Sequence, residues 1–427
     1  LILWSAKQPW VWSGYQDVLA SLGELSLVLV ASLGWLVARP RGRFDVDGAR
    51  VRFAAAVLLV VTLAMSTLGA KWPPLAICRV FQVAIGFLAS EAILRRPSLA
   101  RALRVGFALV VIAEAPLVAV QIVTQSTFPT GTLLWGWPAE ISAQTPGAFV
   151  VFGPDASRWQ RAFGSFPHPN VLGGFLAITM LLTLPTERTS PRRRWLTAAG
   201  WIVGWGELFL TSSRTAMLAT IFGGVLWLMS QKWPRRRSLG WLIGWVTALV
   251  ALAAVPFGGI LVGRLGPDAL ALNQPAVSDR LLLLRVAFEL IARHPLTGIG
   301  GGGFPLALLD RPANVHTLEP VHVIPLLVAA EAGIIAGGAW LVLVLAIPIA
   351  QSLRKWRQGE SVWSAWVIPA PLLLIASLDH YFWTLPTGIA LFWLAVGIAS
   401  SPAALRPPHL RQPARAATDL LLSTQLV

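Results

Sequence analysis

Phe53-Ala-Ala-Ala-Val-Leu-Leu-Val-Val-Thr-Leu-Ala-Met-Ser-Thr-Leu-Gly-Ala70 holds eighteen residues without a single charge. As a helix it reaches about 27 Å, close to the ~30 Å of hydrocarbon in a bilayer. Comparable runs recur along the chain. The hydropathy pattern predicts eleven spans, near 18–38, 53–70, 74–94, 105–125, 170–185, 195–211, 215–230, 239–257, 322–350, 362–379 and 384–400. Composition agrees: of 427 residues 56% are hydrophobic and 12% charged, with a mean hydropathy of +0.67. A soluble chain carries about a quarter charged residues. The sequence therefore predicts an all-α, polytopic transmembrane bundle, one integral membrane domain over 1–400 with a disordered cytoplasmic tail over 401–427. A soluble globular domain is excluded. The 21 Trp fit interfacial anchoring, because indole pairs an apolar body with a polar N–H. A lone cysteine, Cys78, excludes a disulfide framework and a cysteine-rich metal site.

The net charge of +15 resembles that of a nucleic-acid binder, but its distribution does not. With the 39–52 loop in the cytoplasm, the loops at 95–104, 186–194, 231–238 and 351–361 and the tail fall on the same side. Together they hold 23 of the 34 Lys and Arg, including Arg192 to Arg194 and Arg235 to Arg237. Short basic loops on one side follow the positive-inside rule. The charge sets orientation, and nucleic acid is not an expected partner.

Two connections break the rhythm of short loops, 126–169 and 258–321, both on the external side; loops of this length are commonly functional. The first, with Trp135-Gly-Trp-Pro138, reads as irregular chain against the membrane surface. The second contains a predicted interfacial helix from Ser278 to Arg293, capped by Ser278, with Arg285, Glu289 and Arg293 in one polar stripe. Arg280 lies about 140° from Arg285 around that helix and needs another partner. His294-Pro295 ends it, and Gly298 with Gly300 to Gly303 predicts a flexible turn.

His322 begins the ninth predicted span, above a face of small residues: Ala329, Gly333 and Ala336 fall within about 40° of it. That face reads either as GxxxG helix packing or as a cleft for a lipid chain beneath a general base. Neutral imidazole suits the second role. Arg214 interrupts the short external turn Thr211-Ser-Ser-Arg-Thr215, and Arg161 and Arg280 lie in the two long loops. Guanidinium groups at membrane depth either snorkel to water or serve a site; converging, they would clamp a diphosphate. His168 and Asn170, around Pro169, read as a structural turn or as site residues. Glu331 is about 180° from His322 and roughly 13 Å deeper, so it reads as a buried hydrogen-bonding group. Arg79, Glu91, Glu114 and Glu207 are further ionisable groups within spans, and Asp379-His380 ends another span. No HExxH, P-loop or acidic cluster suited to Mg²⁺ occurs. Neither a metal nor another cofactor is expected.

Four stretches, in order, resemble the O-antigen ligase/O-antigen polymerase superfamily of bacterial membrane glycosyltransferases. They are Arg161-Ala-Phe-Gly-Ser-Phe-Pro-His-Pro-Asn170, Thr211-Ser-Ser-Arg-Thr-Ala216, Asp279-Arg280 through Arg293-His-Pro to Phe304, and His322 through Glu331-Ala-Gly333. Asp379-His-Tyr-Phe-Trp-Thr384 is similar to the family's C-terminal end. The resemblance implies a GT-C-like fold in the bacterial inner membrane. It also implies a metal-independent, inverting transfer of glycan from a polyprenyl-diphosphate carrier to a glycolipid or glycan acceptor on the external face. Arg161, Arg214 and Arg280 would hold the donor diphosphate, and His322 would activate the acceptor hydroxyl. Position 323 departs from the ligase motif, being Val where a polar residue is usual, and position 336 is Ala. The family has about twelve spans with the amino terminus inside. Eleven spans with that terminus outside are consistent with a further helix before Leu1. A polymerase differs from a ligase only in its acceptor, and the His322 to Gly333 spacing favours ligase. A flippase or transporter, and an inactive scaffold of an assembly complex, are the readings from other classes; the absence of an inverted repeat weighs against transport.

Overall fold

The computed structural model describes residues 28–32, 46–127, 141–145, 148–152, 157–184, 191–231, 274–309 and 318–401. The predicted span at 239–257 lies outside these residues, as does 18–38 apart from 28–32. Trp135 to Pro138, Arg235 to Arg237 and the tail beyond 401 also lie outside them.

Among the described residues the chain is a helical membrane protein. Helices α1 (Ala49–Ser66, extended to Gly69 by a 3₁₀ turn), α2 (Pro73–Arg95), α3 (Pro97–Thr124) and α10 (Ile334–Arg357) are each long and apolar enough to cross a bilayer. The predicted spans at 170–185, 215–230 and 384–400 are the shorter apolar helices α4 (Pro169–Leu182), α6 (Arg214–Met229) and α13 (Pro386–Ser400). That at 195–211 lies within α5 (Pro191–Thr211). The predicted span 362–379 is instead a 3₁₀ turn at Trp363–Ala365 followed by the short α11 (Pro369–Ala376). Helix starts are set by proline: Pro73, Pro97, Pro169, Pro369 and Pro386 each occupy the first turn, where the missing N–H has no helical acceptor to lose.

The helices share two ends. Asp47, before α1, pairs with Arg354 near the end of α10 at 3.0 Å, and Ser361 donates to the Met229 carbonyl that closes α6. Arg52 and Glu91, both about 1% exposed, form a buried ion pair between the start of α1 and the end of α2. Arg95, Arg354, Lys355 and Arg357 thus gather at one end of the bundle. The opposite end carries the close of α1 and the start of α2. There Gly300 packs on Ala70, and Arg79 donates to the Thr384 carbonyl. Exposed tryptophans mark the margins, with Trp72 before α2, Trp195 in the first turns of α5 and Trp356 in the last turn of α10.

The predicted span 322–350 is not one helix. α9 (Ile324–Ala332) stops at Gly333, whose φ of 89° and ψ of 162° are open to glycine almost alone, and α10 begins at the next residue. The segment after α7 (Gln274–Arg293) docks in the break: Ile334 N–H donates to the Pro295 carbonyl at 2.8 Å. A Cβ on Gly333 would lie 2.2 Å from the Leu296 carbonyl oxygen. Gly333 is therefore a joint, not part of a continuous packing stripe. The glycine-rich turn is equally occupied. Ile299 and Gly300 N–H donate to the Ala330 and Glu331 carbonyls at 3.1 and 2.9 Å, closing the C-terminal end of α9. Gly301 and Gly302 pack on Arg79 and Leu75 of α2. What reads as a flexible turn is a fitted cap.

Two further expectations change. α7 starts at Gln274, four residues ahead of Ser278, so Ser278 lies inside the helix and does not cap it; Pro275 stands in its first turn. The loop expected to be irregular contains an antiparallel ribbon of β1 (Val150–Phe152) and β2 (Arg158–Gln160), with Val150 opposite Gln160. β-branched and aromatic residues favour such pairing. The ribbon runs directly into Arg161, whose N–H donates to the Phe149 carbonyl at 2.8 Å.

The ionisable groups within helices resolve one by one. Glu91 pairs with Arg52, Arg79 donates to Gln82 at 2.8 Å, and Glu114 accepts the Ser165 N–H at 2.8 Å. Both carboxylate oxygens of Glu207 are buried without a hydrogen-bond partner among the described residues.

Candidate active site

Arg161, at the exit of β2, donates through Nε to the Thr211 carbonyl at 2.8 Å and through Nη2 to Asn170 Oδ1 at 2.6 Å. Asn170 sits in the first turn of α4 and passes the link on. Its Nδ2 donates to Asp379 Oδ2 at 2.9 Å, and Asp379 Oδ1 accepts the His380 N–H at 2.8 Å. One continuous chain of polar contacts therefore joins the first long loop to the segment between α11 and α12 (Tyr381–Thr384).

The His380 ring touches His322 edge to face, with centroids 4.9 Å apart. Thr384 Oγ1 donates to the His380 carbonyl at 3.1 Å and contacts His380 Nδ1 at 2.9 Å. His322 stands just ahead of α9, 16% exposed, with Nε2 3.7 Å from Glu319 Oε2. That distance is too long for a hydrogen bond. Its Nδ1 has no hydrogen-bond partner among the described residues.

Both rings are held neutral. Burial first, then His380, lowers the His322 pKa to about 4, with Asp379 opposing and Arg280 adding to the drop. Burial, then Arg280, lowers that of His380 to about 3. Arg280, in the second turn of α7, thus acts on both imidazoles and on Glu319. Arg280, from the second long loop, thus lies beside the pair, and Arg161, from the first, is joined to it through Asn170 and Asp379.

His168 caps α4: its Nδ1 accepts the Asn170 N–H at 3.0 Å, and Phe149 lies edge-on to its ring at 4.5 Å. Burial, then Arg161, holds its pKa well below the ordinary value. Arg214 begins α6, three residues beyond the carbonyl that Arg161 holds. It is exposed, and no hydrogen bond or ion pair joins it to the histidines among the described residues. Glu331 is a buried hydrogen-bonding group, as expected, although His322 stands ahead of α9 and the helical phase counted from it does not set its direction. It accepts from the Phe304 N–H at 3.3 Å and from Trp383 Nε1 at 2.8 Å, tying the glycine-rich cap to α12.

The structure thus brings Arg161, Asn170, Arg280 and His322 into one neighbourhood with Asp379 and His380. It leaves Arg214 outside that network, and Glu331 tied to Phe304 and Trp383. Sequence reasoning passed over Glu319, although a carboxylate three residues before a histidine, across Pro320, was visible. Glu319, His322 and His380 are also the one group of possible metal ligands found among the described residues, assembled from separate segments and so invisible as a spacing motif.

Chemically, two neutral imidazoles offer proton acceptors, and two arginines offer fixed positive charge within a partly dry setting. Residues 198–341 match the family model described as O-antigen ligase. The match runs from α5 into α10 and takes in Arg214, Arg280, His322 and Glu331; Arg161, Asp379 and His380 lie outside it. No curated protein matches the chain.

Proposed function

Starting from an O-antigen ligase domain over residues 198–341, in keeping with the ligase/polymerase superfamily, we propose that this protein joins glycans at the outer face of the bacterial inner membrane. The donor is a polyprenyl-diphosphate-linked glycan, and the acceptor is a hydroxyl on a glycolipid or glycan. The observation that carries this reading is the meeting of His322 with His380, Asp379 and the two loop arginines. They meet at the bundle end opposite the basic one. Basic ends face the cytoplasm, so the histidines face outward.

His322 takes the proton of the acceptor hydroxyl while that oxygen bonds to the anomeric carbon. The carbon's bond to the diphosphate oxygen breaks in the same step, and the configuration inverts. Diphosphate leaves with its negative charge held by Arg161 and Arg280, with Arg214 reaching in; it needs no added proton. An anionic donor beside His322 also raises the basicity of a ring that burial has weakened, so the base strengthens when substrate is bound. Asn170 and Asp379 orient Arg161 and the His380 backbone; His168 and Glu331 keep α4 and α9 in register. The transfer requires no metal.

The test uses purified protein in lipid nanodiscs with a lipid-linked oligosaccharide and a separate glycolipid acceptor. One transfer with release of carrier diphosphate indicates ligase. A ladder growing on the carrier indicates the alternative, a polymerase. His322→Ala should cut transfer by about 10²–10⁴-fold, the usual contribution of a general base, and Arg280→Ala by a similar order. Full turnover in both variants would sink the mechanism, and lipid movement without transfer would point to a flippase.

A further inference from the structure

Glu319 Oε2 lies 3.7 Å from His322 Nε2, and one ligand atom each of Glu319, His322 and His380 lies within 4.8 Å of the others. Ligand atoms bound to one tetrahedral zinc ion stand about 3.3 Å apart, given bonds of about 2.0–2.2 Å. Closing the group therefore asks for only a small movement, and Glu319, 46% exposed, is the side chain with room to make it. His380 is already held in place, because its Nδ1 contacts Thr384 Oγ1 at 2.9 Å and its buried ring packs edge to face on that of His322.

We propose that Glu319, His322 and His380 form a zinc site whose occupancy takes the lone pair His322 needs, making zinc a reversible inhibitor of the protein. Two imidazoles and one carboxylate favour zinc over magnesium or calcium, which prefer oxygen ligands. His322 lacks a hydrogen-bond partner on Nδ1 among the described residues, and the positive charge of Arg280 acts on all three ligands. Both weaken metal binding, which suits an exchangeable ion better than a structural one. The site rests on geometry alone; only the inhibition rests on the proposed transferase activity.

The test is calorimetry of zinc into metal-free protein in nanodiscs, with magnesium as the comparison. Zinc should bind one per chain and magnesium not at all. Glu319→Gln, an exposed change, and His380→Asn should each weaken binding about tenfold or more. Size-exclusion elution shows that both variants are folded. Absence of stoichiometric binding, or unchanged affinity in both variants, overturns the site. In the transfer assay, saturating zinc should lower the rate at least about tenfold, and EDTA should restore it. Full activity with zinc bound overturns the inhibitory role. Absence of transfer by the metal-free protein instead refutes the transferase reading, and the site then stands or falls on the calorimetry alone.

Discussion

Replacing Gly333 by alanine probes the joint on which the site's geometry depends. Its φ of 89° with ψ of 162° costs an alanine about 1–3 kcal/mol in backbone strain. The new Cβ would also stand 2.2 Å from the Leu296 carbonyl oxygen and 2.6 Å from its carbon, both main-chain atoms that cannot swing aside. Moving that segment disturbs the Ile334–Pro295 hydrogen bond and the cap on α9, a further cost of about 1–3 kcal/mol. The variant should therefore lose about 2–6 kcal/mol by these two effects together. Gly338→Ala is the control: it lies inside α10, a Cβ there meets nothing within 4 Å, and the exchange should stabilise by up to about 1 kcal/mol. Thermal unfolding of both variants in the same lipid, followed by tryptophan fluorescence, separates them. Equal melting temperatures would mean that 322–350 can run as one helix, and the joint would be refuted.

Four other outcomes follow from the site. Burial holds His322 near pKa 4 and His380 near 3, so kcat/KM should stay flat from about pH 8 to about pH 5 and fall only below that; an inflection at about 6.5 would mean a solvated base. The same shift has a sign for stability: the neutral ring is favoured in the folded state, so its contribution is whole above about pH 6.5 and drains away as pH falls towards 4. Asn170→Ala removes the link between Arg161 and Asp379 and leaves a buried carboxylate oxygen short of a donor. That should cost about 1–3 kcal/mol, read as a rise of roughly 5- to 150-fold in the donor KM; an unchanged KM would dissociate Arg161 from the donor. Glu331→Ala should lower the melting temperature through loss of the Phe304 and Trp383 bonds while leaving the shape of the pH profile intact, whereas a displaced inflection would make Glu331 part of the acid–base chemistry.

The helical membrane class was legible because apolar length is a local property. So was the meeting of the basic helix ends at Arg95 and Arg354 to Arg357, the part of that pattern within the described residues. Linking Arg161 and Arg280 to the segments around His322 needed the family resemblance, for nothing in their spacing requires 161, 280 and 322 to share a network. The misreadings share one cause. A helical wheel drawn from His322 to Ala336 assumes a continuous helix, and the break at Gly333 follows from a segment 37 residues away in sequence, Leu296, pressing on it. The glycines at 298–303 look loose for the same reason: their lack of side chains admits Ala70, Leu75 and Arg79, partners over 220 residues distant. Glu319 escaped notice because an isolated carboxylate acquires meaning only from the histidine folded against it.

The joint at Gly333 also turns α9 back along α10: a Cβ on Gly337 would stand 2.8 Å from the Pro325 carbonyl oxygen and 2.9 Å from Ala329 Cβ. From Ile334 to Arg357 the 24 residues of α10 already reach about 36 Å, more than a bilayer's oily interior requires. The nine residues of α9 are not needed for that crossing; folded back along its first turns, they hold His322 just ahead of Ile324. Under the proposed transfer, a base carried on a doubled-back arm is braced by its neighbour along its length, and its place is fixed before either sugar arrives.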